Sequence, residues 1–183
     1  MMRRIELAPL LRETVTTPYS DLVTRSTGAA LRSRIEQAIN GASYRAIELD
    51  FTAVGLIDFS CADEVVAKLL QRVVEGEDHY VVLSGVSERH LDAIDHVLER
   101  HGLSVAAFAC GDGCARLLGS TSPDLVVAFQ AVQKQGAGDA KRLAEALGWT
   151  VERTADALQS LALRRLILAG GGTYRPLPQP TDS

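Results

Sequence analysis

The stretch at residues 47–70, IELDFTAVGLIDFSCADEVVAKLL, decides the fold. It begins with alternating apolar residues (IELDF), which indicate a β-strand. A loop follows, and a helix is predicted to begin at Ser60, because Ser60 and Asp63 have the spacing of a capping box. A phosphate on Ser60 would lie where the helix dipole and unpaired backbone N–H groups favour negative charge. This segment is therefore the first candidate for a switch or a docking site.

The rest of the first part of the chain alternates helices with short apolar strands. One helix is marked by Leu31, Ile35 and Ile39, which are four residues apart and share a face. The predicted helices are 27–40, 61–75 and 87–100, and the predicted strands are 44–51, 79–83 and 103–109, with one or two more within 5–15. This alternation predicts an α/β fold, with a mixed sheet that carries helices mainly on one face.

The second part, from Ser122 onward, has a different pattern. Ser122 and Pro123 have the pattern of a helix N-cap followed by proline at the first helical position. Asp139 is predicted to cap a second helix, which ends at Gly148. A third helix at 151–165 and a hairpin formed by 166–168 and 173–175 complete the series. Helix, helix, turn, helix and hairpin is the order of a winged helix-turn-helix.

These two patterns divide the chain into domains. The boundary is predicted near residues 119–123, where Gly, Ser, Thr and Pro concentrate. We therefore expect one domain at 1–119, a second domain at 120–177 and a disordered tail at 178–183.

Composition limits the classes of function. The net charge of −4 argues against coating nucleic acid along the whole chain, although residues from 122 onward carry seven Lys or Arg against six Asp or Glu. Three cysteines are too few for a disulfide framework. No secretory signal or transmembrane span is recognisable. We expect a cytoplasmic protein without a membrane partner.

The first part resembles STAS domains, the fold of the bacterial anti-sigma factor antagonists, over about residues 1–110. The resemblance is carried by RSTGAALR at 25–32, LDF at 49–51 and SCADE at 60–64. It implies docking of a kinase-like or anti-sigma-like regulatory protein. In the antagonists the kinase modifies a serine directly after an aspartate; here Phe59 follows the aspartate, so Ser60 is the remaining hydroxyl.

The candidates for partner binding or a phospho-switch are therefore Asp58, Ser60 and Asp63. The alternative for Ser60 is a plain helix N-cap, worth about 1 kcal/mol. A phosphate beside Asp58, Asp63 and Glu64 would be repelled unless N–H groups or an arginine compensate. Both alternatives remain open at the level of sequence.

The second part resembles bacterial winged helix-turn-helix regulators over about residues 122–177, through LAEALGWTV at 143–151 and the hairpin. At about 100° per residue, the third helix is expected to turn Val151, Ala155, Leu158 and Ala162 inward. Its outward side would then carry Arg153, Asp156, Ser160 and Arg164. The candidate DNA contacts are Thr150, Arg153, Ser160, Arg164, Tyr174 and Arg175.

Other chemistry finds little support in the sequence. The segment CGDGC at 110–114 offers two thiols and one carboxylate, whereas a zinc site needs four donors, so a glycine turn is predicted there. The chain has no phosphate-binding loop with lysine, no nucleophile elbow and no HExxH motif. We predict no catalytic residues, no metal and no cofactor.

Two functions remain open. In the first, the winged helix binds DNA, as a homodimer, and the STAS-like domain docks a partner or senses a signal. In the second, the chain is a protein-protein interaction module that does not bind DNA. The acidic N-terminal part and the mixed charge of the third helix, which carries Glu152 and Asp156, favour the second function. The outward arginines of that helix and the order of the helices favour the first.

Overall fold

The computed structural model describes residues 2–40, 45–76, 79–109 and 113–180 of the chain. It is a mixed α/β structure built on a five-stranded sheet. The helices are α1 Leu7–Val15, α2 Arg25–Ile39, α3 Phe59–Ala62, a π-helical segment Asp63–Ala67, α4 Lys68–Gly76, α5 Glu88–Arg100, α6 Pro123–Gln135, α7 Ala140–Leu147 and α8 Val151–Leu163. The strands are β1 Met2–Glu6, β2 Ala46–Asp50, β3 Tyr80–Val86, β4 Ser104–Ala109, β5 Ala115–Gly119, β6 Leu168–Gly170 and β7 Thr173–Arg175.

The five strands of the large sheet lie in the order of the sequence, β1-β2-β3-β4-β5. Neighbouring strands are parallel from β1 to β4, and β5 runs antiparallel to β4. All five residues of β2 are buried, which is typical of a parallel strand covered on both faces.

One face of the sheet packs against the helices of the first part. Alternate residues of β2 and β3, such as Leu49 and Leu83, contribute to this core. The apolar stripe of α2 at Leu31 and Ile35 packs into the same core. The predicted spacing of this stripe is therefore confirmed.

The opposite face packs against the helices of the second part. Val82, Ala106 and Phe108, from the strands β3 and β4, share a second core with Phe129 of α6 and Leu158 of α8. The prediction that helices lie mainly on one face of the sheet therefore holds for the first part alone. The helices α6, α7 and α8 of the second part cover the other face. The sheet lies between two helical layers.

Two elements differ from the sequence prediction. Strands were expected within residues 5–15, but only β1 is a strand and Leu7–Val15 is helical. Leu7 and Leu11 are one helical turn apart and fully buried, and Pro9 lies in the first turn, where proline is tolerated. The prediction also omitted β5, an edge strand of five residues that carries the exposed Arg116.

The hairpin and the tail are partly as predicted. The hairpin strands β6 and β7 form, but Leu166 and Ile167 lie in the second core before β6 begins. Leu177 also packs into this core, within the predicted second domain. Of the predicted tail, residues 178–180 have no regular secondary structure, and 181–183 lie outside the described residues. Tyr44, where a strand is predicted to start, also lies outside the described residues.

Candidate docking and recognition surfaces

The helix after β2 is capped by Asp58 and begins at Phe59, so the predicted capping by Ser60 is wrong. One carboxylate oxygen of Asp58 accepts the backbone N–H of Cys61 at 2.7 Å, and the other accepts that of Thr24 at 2.9 Å. Ser60 Oγ donates to Asp58 Oδ1 at 2.8 Å. Burial raises the pKa of Asp58, but these bonds lower it by more, so the carboxylate ionises below its usual range.

The loop that leads to this cap is paired with the loop before α2. Leu22 N donates to Leu56 O at 2.7 Å, and Asp58 N donates to Leu22 O at 2.9 Å. Leu56 N donates to the carboxylate of Asp21 at 2.8 Å. Together with the bond from Thr24 to Asp58, these contacts hold two connecting segments in one fixed geometry.

Four large exposed apolar side chains lie on these paired loops and at the first residue of α3, and we call them the docking surface. They are Tyr19, Val23, Leu56 and Phe59, with exposed fractions of 70%, 44%, 54% and 50%. Their neighbours Leu22 and Ile57 are buried in the first core, so the loops alternate between anchored and exposed apolar residues. Sequence reasoning missed these residues. The two large apolar residues on either side of Asp58, Leu56 and Phe59, could have indicated an exposed apolar surface there.

A depression of about 480 Å³ adjoins the docking surface, and we call it the Ser60 depression. It contains Ser60 and Asp63 together with four groups that can carry positive charge. These groups are Arg25, His96, Arg100 and His101. The ring of Phe59 lies against that of His96, with centroids 5.0 Å apart. The structure thus brings together all three predicted candidates of the first part, Asp58, Ser60 and Asp63.

Asp63 is bound by Arg25 and His101, two partners that the sequence pattern did not reveal. Its carboxylate accepts Arg25 Nη1 at 2.7 Å and lies 2.7 Å from His101 Nε2. Burial raises the pKa of Asp63, but the bonds from Arg25 and His101 lower it by more. Asp63 is therefore an ionised, paired group at neutral pH.

The π-helical segment that follows buries a second carboxylate, Glu64. Its side chain is 3% exposed and is bound by Arg25, Arg32 and Lys68. Burial raises the pKa of Glu64, but these cations lower it by more, Lys68 first. Two of the three cations, Arg25 and Arg32, come from the segment RSTGAALR at 25–32, and Glu64 comes from the segment SCADE at 60–64.

In the second part, α8 buries a different stripe from the one predicted. Thr154, Ala157, Leu158 and Leu161 are buried, whereas Val151 is 50% exposed. Of the predicted inward side, Leu158 is confirmed, Ala162 is half-buried against the second core, Ala155 is half-buried, and Val151 is wrong. Thr154 is polar but can be buried, because its hydroxyl donates to the carbonyl of Thr150 at 2.9 Å.

Two of the candidate DNA-contacting arginines are held by other parts of the chain. Arg153 binds both carboxylate oxygens of Asp124, at 2.9 and 2.7 Å, and its guanidinium lies 4.0 Å from the centroid of a Trp149 ring. Arg164 Nη1 donates to Ser104 Oγ and to the carbonyl of Ser120, both at 2.8 Å. Arg164 therefore links the end of α8 to the sheet.

Four of the six DNA-contact candidates line one cleft of about 580 Å³, the α8 cleft. They are Thr150, Arg153, Ser160 and Arg164. The same cleft contains three carboxylates, Asp124, Glu152 and Asp156. Three acids against two arginines make this surface a weak electrostatic match for phosphate.

The other two DNA-contact candidates lie on β7. Arg175 is exposed and Tyr174 is partly buried. The backbone of Tyr174 exchanges two hydrogen bonds with Gly138, at 2.8 and 3.0 Å. This bridge joins the connection between α6 and α7 to the edge of the hairpin.

The remaining candidates for chemistry are limited. Cys110, Gly111 and Asp112 of the predicted glycine turn lie outside the described residues. In the described ranges, no three His, Cys, Asp or Glu side chains form a group that could hold a metal ion.

Burial raises the pKa of the Cys61 thiol to about 12, so this thiol is not a nucleophile at neutral pH. None of the helices in the described ranges combines the length and the apolar character that crossing a membrane requires.

Comparison with known proteins adds no family assignment. No protein-family model matches the chain, and no curated protein has significant sequence similarity to it.

Proposed function

We propose that this protein is a cytoplasmic regulator that docks a protein partner on the docking surface and the adjoining Ser60 depression. The observation that carries the proposal is a set of four exposed apolar side chains, Tyr19, Val23, Leu56 and Phe59. They lie on two loops that are hydrogen-bonded to each other and at the start of α3. The backbone bonds between residues 20–22 and 55–58 bring together the segments that carry these side chains. Exposed apolar surface with a polar rim is typical of protein interaction sites. Aromatic anchors commonly dominate the binding energy of such sites.

The fixed geometry of the loops supports docking rather than a mobile lid. Asp58 accepts N–H groups from the loop before α2 and from the first turn of α3. Leu22 is paired with Leu56 and Asp58 of the other loop. Because the backbone is already ordered, binding would lose little conformational entropy there. The exposed Arg100 at one side of the depression would favour a partner with an acidic group opposite it.

The resemblance to anti-sigma factor antagonists supports a kinase-like or anti-sigma-like protein as the partner. Docking does not require a phosphate on Ser60, whose hydroxyl already donates to Asp58. Phosphorylation would bring a charge of about −1.5 to −2 against that carboxylate, with Arg25 and Arg100 as the nearest compensation. Intact mass of the protein from its native cells, measured in several growth states, decides whether Ser60 is modified.

A negative charge introduced on the docking surface tests the proposal. Leu56→Asp places a carboxylate on the apolar surface, and Val127→Asp is the matched control at an exposed apolar position of α6. We expect a stoichiometric partner to copurify with the wild type and with the control, and to be reduced about tenfold or more with Leu56→Asp. Equal recovery with both variants, or no stoichiometric partner at all, would reject the proposal.

DNA binding by the second part is a second candidate function. It is supported by the order α6, α7, α8 and hairpin and by the bridge between Gly138 and Tyr174. Arg175 on β7 is exposed and free of the acidic cleft. A winged helix that reads DNA would be expected to act as a homodimer on a two-fold symmetric site.

An unbiased selection from random duplex DNA tests this second function at low salt. If DNA binds, the affinity should fall steeply with added salt, and Arg175→Ala should weaken binding to all sequences. Lys134→Ala, at an exposed position at the end of α6, is the control for loss of one positive charge. If no sequence is enriched and no DNA binds at low salt, DNA binding by the second part is rejected.

A further inference from the structure

A small cavity lies where the end of α8 meets the sheet, and we call it the junction cavity. Its volume is about 190 Å³. Its walls come from α4, from the starts of β3 and β4 and from the residues that follow α8. Four of the lining residues, Leu70, Val73, Val81 and Leu166, are almost fully buried and apolar. The cavity is thus a hydrophobic recess between the two parts of the chain.

Two adjacent arginines, Arg164 and Arg165, also line this cavity. Both are partly buried. Arg164 Nη1 donates to Ser104 Oγ and to the carbonyl of Ser120. Arg165 Nη1 donates to the carbonyl of His79 at 3.0 Å. Within the described ranges neither guanidinium forms an ion pair with a carboxylate. Since a guanidinium has five N–H donors, both retain donor capacity beside an apolar recess.

The backbone at Arg165 is a second, independent observation. Arg165 N donates to Ala162 O and Leu166 N donates to Leu161 O, the two bonds of a Schellman motif. Arg165 therefore occupies the left-handed position of this motif, with φ of 59°. Glycine is strongly preferred there, because a side chain strains this conformation. An arginine at this position keeps its guanidinium at the cavity at a cost in backbone strain.

We propose that the junction cavity binds a small organic anion, a monocarboxylate with an apolar body the size of one aromatic ring. The apolar body would fill the recess formed by α4 and the sheet, and the carboxylate would accept N–H groups from Arg164 and Arg165. The size is suitable, because an engineered apolar cavity of about 150 Å³ accommodates benzene. Such a ligand would contact both parts of the chain and stabilise the docking of α8 on the sheet.

Calorimetric titration of the full chain with sodium benzoate tests the proposal. Benzyl alcohol serves as the neutral analogue of similar shape. We expect saturable one-to-one binding of benzoate and at least about tenfold weaker binding of benzyl alcohol, because hydrogen bonds to charged groups contribute most of the discrimination. Benzoate should also raise the thermal unfolding midpoint of the protein.

Arg165→Gly removes the guanidinium and relieves the backbone, so this variant should unfold at the same temperature as the wild type or at a higher one. It should bind benzoate about tenfold to a hundredfold more weakly. Lys141→Ala removes one exposed positive charge that does not line the cavity and should leave binding unchanged. The proposal is overturned if the wild type shows no saturable binding, if benzyl alcohol binds equally well, or if Arg165→Gly binds like the wild type.

Discussion

Asp58 and Ser60 are both residue types that cap helices, and they lie two positions apart. Local sequence cannot choose between them. The choice is made by Thr24, whose backbone N–H reaches Asp58 from 34 residues away along the chain. One carboxylate can accept from the helix and from the distant loop at once, whereas a serine hydroxyl has less acceptor capacity. The identity of the cap is therefore a tertiary property that sequence reasoning could not supply.

Asp58→Ala should destabilise the protein by about 1–2 kcal/mol at neutral pH, because it removes an N-cap that also holds the facing loop. Asp58→Asn is the control, since its amide oxygen still accepts an N–H bond and should retain part of this stability. Both variants are compared with the wild type by urea unfolding monitored by circular dichroism. A cost below about 0.5 kcal/mol for the alanine variant would mean that Asp58 does not anchor the loops.

The same carboxylate gives a pH dependence with a definite sign. The folded-state pKa of Asp58 lies below its unfolded value of about 3.9, so its stabilisation is complete above that pH and is lost as the pH falls through the folded pKa. The difference in unfolding free energy between wild type and Asp58→Asn should therefore narrow when the pH is lowered from 7 to about 3. A difference that widens on acidification would contradict the assigned bonds.

At the scale of elements, periodicity locates helices well but fixes their orientation less securely. The stripe of α2 follows the predicted spacing, because its inward residues Leu31 and Ile35 are plainly apolar. In α8 the buried stripe includes Thr154, which looks polar in sequence and satisfies its hydroxyl within the helix. The edge strand β5 was missed for a different reason, because one exposed arginine in five residues breaks the apolar pattern. The pattern therefore reveals neither a polar group that is buried by a local bond, as in α8, nor a short edge strand with a residue in solvent.

The turn after β5 depends on Gly119, which sets the path from the sheet to α6. Its φ is 92°, and an added Cβ would lie 2.4 Å from the Leu103 carbonyl oxygen and 2.6 Å from Leu98 Cβ. Gly119→Ala should cost roughly 3 kcal/mol, from backbone strain and overpacking together. Gly148→Ala is the matched control, because Gly148 also has positive φ, at 67°, but no neighbouring atom within 4 Å. It should cost about 1 kcal/mol.

Urea unfolding of these two glycine variants separates the cost of backbone strain from the cost of overpacking. Both add the same methyl group at a positive φ, so the difference between them isolates the close approach to Leu98 and Leu103. Equal destabilisation of the two variants would show that the turn after β5 is not tightly packed.

At the scale of the whole molecule, the sheet belongs to both cores. The sequence predicted the series of helices and strands on either side of residue 119, but not that the second series covers the free face of the first. A signal was present in the strands: β4 reads SVAAFA, with apolar residues at both odd and even positions. Continuous apolar runs are typical of strands buried on both faces. Which element provides the cover depends on long-range packing and is not encoded locally.

Shared use of the sheet predicts one cooperative unfolding transition. Trp149, the single tryptophan, lies in the second part and packs against the second core, so its fluorescence reports on that part. Circular dichroism reports on the helices of both parts. The two signals should change with the same midpoint in urea, because loss of α6 to α8 exposes the apolar face of β3 and β4. A fluorescence transition well separated from a second dichroism transition would indicate two independent domains.

The central claim, that the docking surface binds a protein partner, is tested most directly by site-specific photo-crosslinking in the native cells. Phe59→benzoylphenylalanine places the crosslinker on the docking surface, and Val127→benzoylphenylalanine places it at an exposed apolar position of α6. We predict one discrete crosslinked species, identified as the same partner in every replicate, from position 59 and none of that mass from position 127. No discrete product from position 59, or the same product from both positions, would contradict the claim.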